Sequence, residues 1–212
     1  MTTQEKVSKA LDFAKSQGSE SGLSKDGKGS KFLSFFLGQE EYGLQILSVR
    51  EIIGLMDITQ VPQTPNFIRG VINLRGRVIP VVELRTKFGM ETIEDTEKTC
   101  IIVVEVVMQG SAVQMGILVD SVSEVLEIRE SEIGAAPSFG GGINTDFIMG
   151  MGKIKDEVKI LLDIDRVLDE VDVASLGDLK QTAVADSKQK AEGDLKQTAE
   201  GDLKRTAEEV PA

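Results

Sequence analysis

The stretch GLQILSVREII, residues 43–53, decides the fold because the chain contains its pattern twice. Residues 116–126 read GILVDSVSEVL, and an alignment without gaps keeps Gly, Ser, Val and Glu in the same places. A second pair of stretches, 67–84 and 147–164, aligns in the same way. Internal repetition of this kind indicates stacked copies of one structural unit. The sequence therefore predicts two similar modules, and we expect function in the groove between them.

Between residue 32 and about residue 172, short apolar runs separated by Gly, Pro and Asp indicate a β-protein. Gly76 lies between two of these runs and can adopt the positive φ of a tight hairpin turn. A module of about 60 residues buries only about 60% of its unfolded surface, so the two modules should stabilise each other. Short helices are predicted at 83–88 and 163–171. The predicted strands are 32–37, 42–46, 71–74, 78–82, 100–107, 113–119 and 122–128.

The two ends of the chain differ in composition from this central part. Residues 1–30 become rich in Gly, Ser and charged side chains, which indicates a flexible lead-in. Residues 173–212 contain four copies of an octad that begins at residue 177. Eight residues turn a helix by about 800°, so the leucines of the octads form no apolar stripe. We expect a mobile or partly helical tail.

Composition argues against several classes of function. A net charge of −11 disfavours nucleic-acid binding, and 4% aromatic residues offer few stacking platforms to an oligonucleotide-binding barrel. The chain has no His, and its one cysteine, Cys100, lies in an apolar run and is expected to be buried. No apolar run reaches the roughly 18 to 20 residues of a membrane span. We expect a cytoplasmic protein with no catalysis, no metal or other cofactor, no nucleic-acid partner and no direct membrane insertion.

The run PNFIRGVINLRGRVIPVVELR, residues 65–85, closely resembles the signature of the CheW-type chemotaxis coupling proteins. Residues 41–52 and 119–125 resemble the same family, and the match covers about residues 31–171. The resemblance implies a mostly β fold of two intertwined, SH3-like, five-stranded barrels with short helices. We place a CheW-like domain at 31–172, with barrel subdomains at about 38–92 and 98–165.

The same resemblance implies a scaffold role. Members of this family bridge the tips of transmembrane, methyl-accepting chemoreceptors and a CheA-type histidine kinase, at membrane-associated receptor arrays. An equivalent adaptor in a chemosensory pathway that controls pili or gene expression would have the same fold. Only the partner kinase would distinguish the two.

By resemblance, a receptor tip would lie as a helical hairpin in the groove between the barrels. Val49 and Gly70 recur at the matching places of the second copy, so maintenance of the fold explains them equally well. For Glu51 and Arg75, an internal ion pair and a contact with a partner are both open. The candidate receptor contacts are Val49, Glu51, Ile52, Gly70, Val71, Asn73 and Arg75.

The kinase contact is expected to be barrel against barrel, through apolar residues of the second module. Strand alternation alone does not say which of these residues face outward, and ordinary core positions are the alternative. The candidates are Val104, Val106, Ile117 and Val119.

Overall fold

The computed structural model describes residues 29–108, 110–136, 145–154 and 157–169, together with Lys9. The predictions for the octad tail, and for all but three residues of the lead-in, lie outside these ranges. Within the described residues, no helix combines the length and the apolarity needed to cross a membrane.

Most of the described chain is β-strand, because its runs of Val, Ile, Leu and Phe suit a pleated, buried surface. The predicted mostly β fold with short helices is confirmed. Four strands were not among those predicted, namely Val49–Gly54, Ile133–Gly134, Ile148–Ile154 and Glu157–Leu162. The elements are β1 Ser30–Leu37, β2 Glu40–Gln45, β3 Val49–Gly54, β4 Ile68–Leu74, β5 Arg77–Glu83, α1 Leu84–Lys87, β6 Cys100–Met108, β7 Ser111–Val119, β8 Ser121–Ile128, β9 Ile133–Gly134, β10 Ile148–Ile154, β11 Glu157–Leu162 and α2 Ile164–Leu168.

These strands form two sheets. Sheet A has the order β8-β1-β2-β11-β10-β9, and sheet B has the order β3-β6-β7-β5-β4. In each sheet one pair is parallel, β2 with β11 and β5 with β7, and the other pairs are antiparallel. Five strands per barrel were expected; sheet A has a sixth, β9, of two residues.

Apart from β9, the two sheets repeat each other strand for strand. In sheet A, Gly43 of β2 lies opposite Leu161 of β11, and in sheet B, Gly116 of β7 lies opposite Val81 of β5. The internal repeat aligns Gly43 with Gly116 and Val81 with Leu161, so the two pairs are equivalent. Each sheet combines the first hairpin of one copy with later strands of the other copy: β1 and β2 join β8, β10 and β11, whereas β6 and β7 join β3, β4 and β5.

This exchange corrects the expected limits of the two barrels. The ranges 38–92 and 98–165 follow the repeat, but each sheet takes strands from both ranges. The physical reason is that each first hairpin has open edges, and strands of the other copy satisfy their hydrogen bonds. The barrels are intertwined, and the chain passes from one sheet to the other only twice within the described residues, between β2 and β3 and between β7 and β8.

Each sheet encloses its own apolar core. Strand β6 is buried on both faces: Ile101 faces the core of sheet B, whereas its neighbour Ile102 faces the opposite side and is also 0% exposed. Strand β1 of sheet A contacts β7, and α2 contacts β6, so these two strands of sheet B also pack against parts of the chain outside their own sheet. Cys100 is buried, as predicted. The core of sheet B contains Ile72, Ile79, Val81, Ile101, Val103 and Leu118, and that of sheet A contains Phe32, Ile128 and Leu161.

Candidate functional site

The β4–β5 hairpin ends in a tight turn at Arg75 and Gly76. Their φ angles are +53° and +82°, and two successive positive values are typical of the turn that matches the twist of a β-hairpin. The Gly76 N–H donates to Asn73 Oδ1 at 2.9 Å and closes the turn. The predicted role of Gly76 is confirmed. The turn leaves the Arg75 side chain 77% exposed.

Arg75 and Glu51 form an ion pair between the hairpin tip and β3. Arg75 Nη1 and Nη2 donate to Glu51 Oε1 and Oε2 at 3.1 and 2.9 Å, the fork geometry that guanidinium and carboxylate groups favour. Pairs this exposed contribute about 0 to 1 kcal/mol to stability. The pair therefore orients two accessible side chains more than it stabilises the fold. The sequence left open an internal ion pair or a contact with a partner. The internal pair is present, and both side chains remain accessible to solvent.

Gly70 is enclosed by the chain itself. Thr59 forms a bridge with Val71 through two backbone hydrogen bonds, of 2.9 and 2.8 Å. A Cβ atom added to Gly70 would lie 2.2 Å from the carbonyl oxygen of Thr59, and the φ of Gly70 is +145°. Gly70 was a candidate receptor contact, but Thr59 occupies the space beside it that a partner would need. No sequence signal pointed to Thr59.

We call the hairpin face the candidate contacts that remain at least partly accessible on β3 and on the β4–β5 hairpin: Glu51, Ile52, Val71, Asn73 and Arg75. The Glu51–Arg75 pair links these two elements. Ile53 and Ile72 pack in the core, so strand alternation turns Ile52, Val71 and Asn73 away from the core of sheet B. The hairpin face unites five of the seven predicted receptor contacts. Gly70 and Val49 are buried and lie outside it. Sequence reasoning missed Leu55 and Met56, which follow β3 and are 39% and 37% exposed.

The four predicted kinase contacts are core residues. Val104, Val106, Ile117 and Val119 are at most 2% exposed. They lie on β6 and β7, which are covered on one face by their own core and on the other by further packing, including that of α2 on β6. The expectation that they form an exposed contact is therefore corrected. At the end of β6, the neighbouring Val107 is 65% exposed.

Two ion pairs that sequence reasoning missed are more buried. Arg85 of α1 pairs with Asp120, and their side chains are 11% and 20% exposed. The hydrogen bond to Asp120 raises the pKa of Arg85. Lys159 of β11 pairs with Glu41 of the adjacent β2 at 5% and 12% exposure. Burial lowers the pKa of Lys159, but the hydrogen bonds to Glu41 and to a second carboxylate outweigh it, so the pKa is raised. Arg85 and Lys159 therefore stay protonated at neutral pH.

A row of aromatic rings joins elements from both copies. Tyr42 packs against Phe35 and Phe88 with centroids 5.9 Å apart in each case, and Phe88 stacks on Phe147 at 5.2 Å. Burial, followed by the nearby charge of Glu40, raises the pKa of Tyr42. The described residues contain no cluster of three or more acidic or cysteine side chains that could hold a metal ion.

Comparison with known proteins independently tests the family resemblance drawn from the sequence. The family model of the CheW-like domain matches residues 31–172. The chemotaxis protein CheW of Klebsiella aerogenes is 38% identical over 154 residues, which are 73% of this chain and 90% of that protein. The chemotaxis protein CheW of Bacillus subtilis is 33% identical over 145 residues, 67% of this chain and 88% of that protein.

A solved structure is also similar. The scaffolding protein TtCheW from Thermoanaerobacter tengcongensis has a TM-score of 0.59 and 36% identity, covering 66% of this chain and 92% of that one. Together these likenesses confirm the resemblance drawn from the sequence and the SH3-like, two-barrel fold.

Proposed function

Because this chain belongs to the CheW-like family of chemotaxis scaffold proteins, we propose that it couples transmembrane chemoreceptors to a CheA-type histidine kinase. It acts as an adaptor that catalyses no reaction, on the cytoplasmic side of membrane-associated receptor arrays. The hairpin face is the observation that carries this proposal, because it offers a protein partner both apolar anchors and a polar rim.

Its composition suits a helical partner. Ile52 and Val71 are partly exposed apolar side chains, and Asn73 with the Glu51–Arg75 pair supplies hydrogen-bonding groups beside them. Recognition of a helix on a groove uses apolar anchors with a polar rim of this kind. The hydrogen-bonded turn and the Glu51–Arg75 pair hold the face in one shape, so little ordering entropy is lost on binding. We assign this face to the receptor tip.

The kinase contact requires accessible apolar side chains on the second copy. Val107, Met149 and Val158 meet this requirement, at 65%, 39% and 57% exposure. We propose that the kinase docks a barrel of its own through such side chains. Val107→Asp and Val158→Asp are then expected to weaken kinase binding while the hairpin face still binds receptor.

A sedimentation assay tests the proposal. Vesicles that carry receptor cytoplasmic fragments are mixed with a CheA-type kinase, with or without this protein, and kinase in the pellet is measured. We expect kinase to sediment only when the protein is present and Arg75→Glu to abolish this. Arg77→Glu is the matched control, because Arg77 is exposed on the same hairpin. Circular dichroism verifies that both variants are folded. The proposal fails if the wild-type protein recruits no kinase.

A charge exchange separates the two roles of Arg75. The double variant Glu51→Arg with Arg75→Glu restores an internal pair but reverses the charges that a partner meets. Recovery of kinase sedimentation would assign Arg75 to the internal pair, whereas continued loss would assign it to partner contact. Affinity capture from the native cell then identifies the kinase, and with it a motility pathway or one that controls pili or gene expression.

A further inference from the structure

Asp120 joins the two sheets at the point where the chain crosses from β7 to β8. Its Oδ2 accepts a hydrogen bond of 2.7 Å from the N–H of Gly38, in the β1–β2 turn of sheet A. Arg85 of α1, which follows β5 of sheet B, donates from Nε to Oδ1 at 2.7 Å and also from Nη2 to Oδ2. One carboxylate therefore holds a turn of one sheet and a helix of the other.

The guanidinium of Arg85 reaches a third element. Its Nη1 donates to the carbonyl oxygen of Glu91 at 3.1 Å, in the segment that connects the two copies. Helix α1 itself packs on β5 and β7. The Asp120 N–H donates to the Phe36 carbonyl at 3.2 Å, so the backbone at the crossing is attached to β1 as well. Charge-assisted, bidentate bonds of low exposure are directional, so this cluster resists a change in the angle between the sheets.

The second crossing, from β2 to β3, lacks the equivalent arrangement. The internal repeat places Leu47 where Asp120 stands, and Leu47 is 49% exposed. It places Asp165 where Arg85 stands, and there the Val107 N–H donates to Asp165 Oδ1 at 2.8 Å in an exposed setting. The two crossings are thus unequal in the described part of the chain: one holds a bidentate ion pair of low exposure, whereas at the other the counterpart Asp165 accepts an exposed hydrogen bond.

We propose that the Arg85–Asp120 pair is a positioning element that fixes the angle between the two barrels. A receptor tip on the hairpin face of sheet B and a kinase that contacts Met149 and Val158 of sheet A are thereby held so that both bind one molecule at once. This second statement rests on the proposed function, whereas the angle itself is a property of the protein alone. Arg85 and Asp120 contact no partner themselves; both act through the orientation of the barrels.

Spin-label distances on the full chain test the angle without any partner. Labels are attached at Arg77→Cys in sheet B and Lys153→Cys in sheet A, both exposed positions. The native Cys100 is 0% exposed and is shielded from the label. Asp120→Asn keeps an oxygen for the Gly38 N–H but loses the charge. We expect it to widen the distance distribution, Arg85→Lys to widen it less, and the control Asp165→Asn at the second crossing to leave it unchanged.

Binding measurements test the consequence. For Asp120→Asn we expect the separate affinities for receptor fragment and kinase to change by less than about twofold, while simultaneous binding of both falls by about tenfold or more, because geometry decides whether two sites engage together. An unchanged distance distribution overturns the proposal, as does a widened one with undiminished simultaneous binding. If Asp120→Asn is unfolded by circular dichroism, Arg85→Lys decides by the same criteria. Loss of both separate affinities in the wild-type protein would instead refute the proposed function and leave the distance result standing.

Discussion

Replacement of Gly70 by Ala tests whether this glycine serves the fold or a partner. The added Cβ atom would lie 2.2 Å from the Thr59 carbonyl oxygen and 2.8 Å from Ile58 Cγ2. Such a contact with backbone cannot be relieved by a side-chain rotation. The Thr59–Val71 bridge must open, or β4 must shift within sheet B.

The structure sets the size of the effect. A φ of +145° at Gly70 is strained for any residue with a Cβ, which costs about 1 to 2 kcal/mol. Opening the bridge loses two backbone hydrogen bonds, each worth about 1 kcal/mol net. We therefore expect Gly70→Ala to lower the free energy of unfolding by about 3 to 4 kcal/mol. For a chain of this size, that corresponds to about 6 to 16 °C in Tm.

Two other glycines calibrate the measurement. Gly76→Ala has φ strain alone, because no heavy atom lies within 4 Å of its added Cβ, so it should cost about 1 kcal/mol. Gly150, the counterpart of Gly70, has no positive φ, and its added Cβ would lie 2.9 Å from the Gly134 carbonyl oxygen. Gly150→Ala should fall between the other two variants.

Denaturant unfolding followed by far-ultraviolet circular dichroism suits a chain without Trp. Equal losses for Gly70→Ala and Gly76→Ala would refute the reasoning, because they would mean that Thr59 does not enclose Gly70 in solution. Gly70 would then return to the set of partner contacts.

Three further outcomes are expected. Ile102→Ala, which opens a cavity at a fully buried position, should lower the free energy of unfolding by about 2 to 5 kcal/mol in the same denaturant experiment. Arg75→Glu should change that free energy by less than about 1 kcal/mol, since the pair it breaks is exposed. The raised pKa of Lys159 gives stability that is complete below the ordinary lysine pKa of 10.5 and is lost as the pH rises through the folded value. Unfolding midpoints between about pH 8 and 11 should therefore fall at the alkaline end, less steeply in Lys159→Met.

Local pattern accounts for the parts of the fold that were predicted. Apolar runs rich in Val and Ile marked most strands, and Gly76 between two runs marked a hairpin turn, because both signals depend on neighbours in sequence. Strands β3, β10 and β11 went unpredicted, although the repeat aligns each of them with a stretch of the other copy that was predicted as strand. The repeat was the signal that could have identified them.

The sequence pattern anticipated which candidate contacts are exposed only in part. Asn73 and Arg75 are exposed, because the end of a hairpin is exposed wherever its strands pair. Val104 and Ile117 lie on strands that are apolar on both faces, and such a pattern does not distinguish a covered face from a docking face. Their burial depends on packing from the other sheet.

The amino-acid order alone determined the duplication, most of the strands and the turn at Gly76, since each rests on side chains and backbone preferences close together in the chain. Tertiary structure alone decided that each first hairpin pairs with strands of the other copy, that Thr59 covers Gly70, and that Arg85 meets Asp120. Strand edges in the two copies offer the same donors and acceptors, so their hydrogen-bonding chemistry favours neither partner. The choice was made by the packing of the whole molecule, which brings together residues distant in sequence.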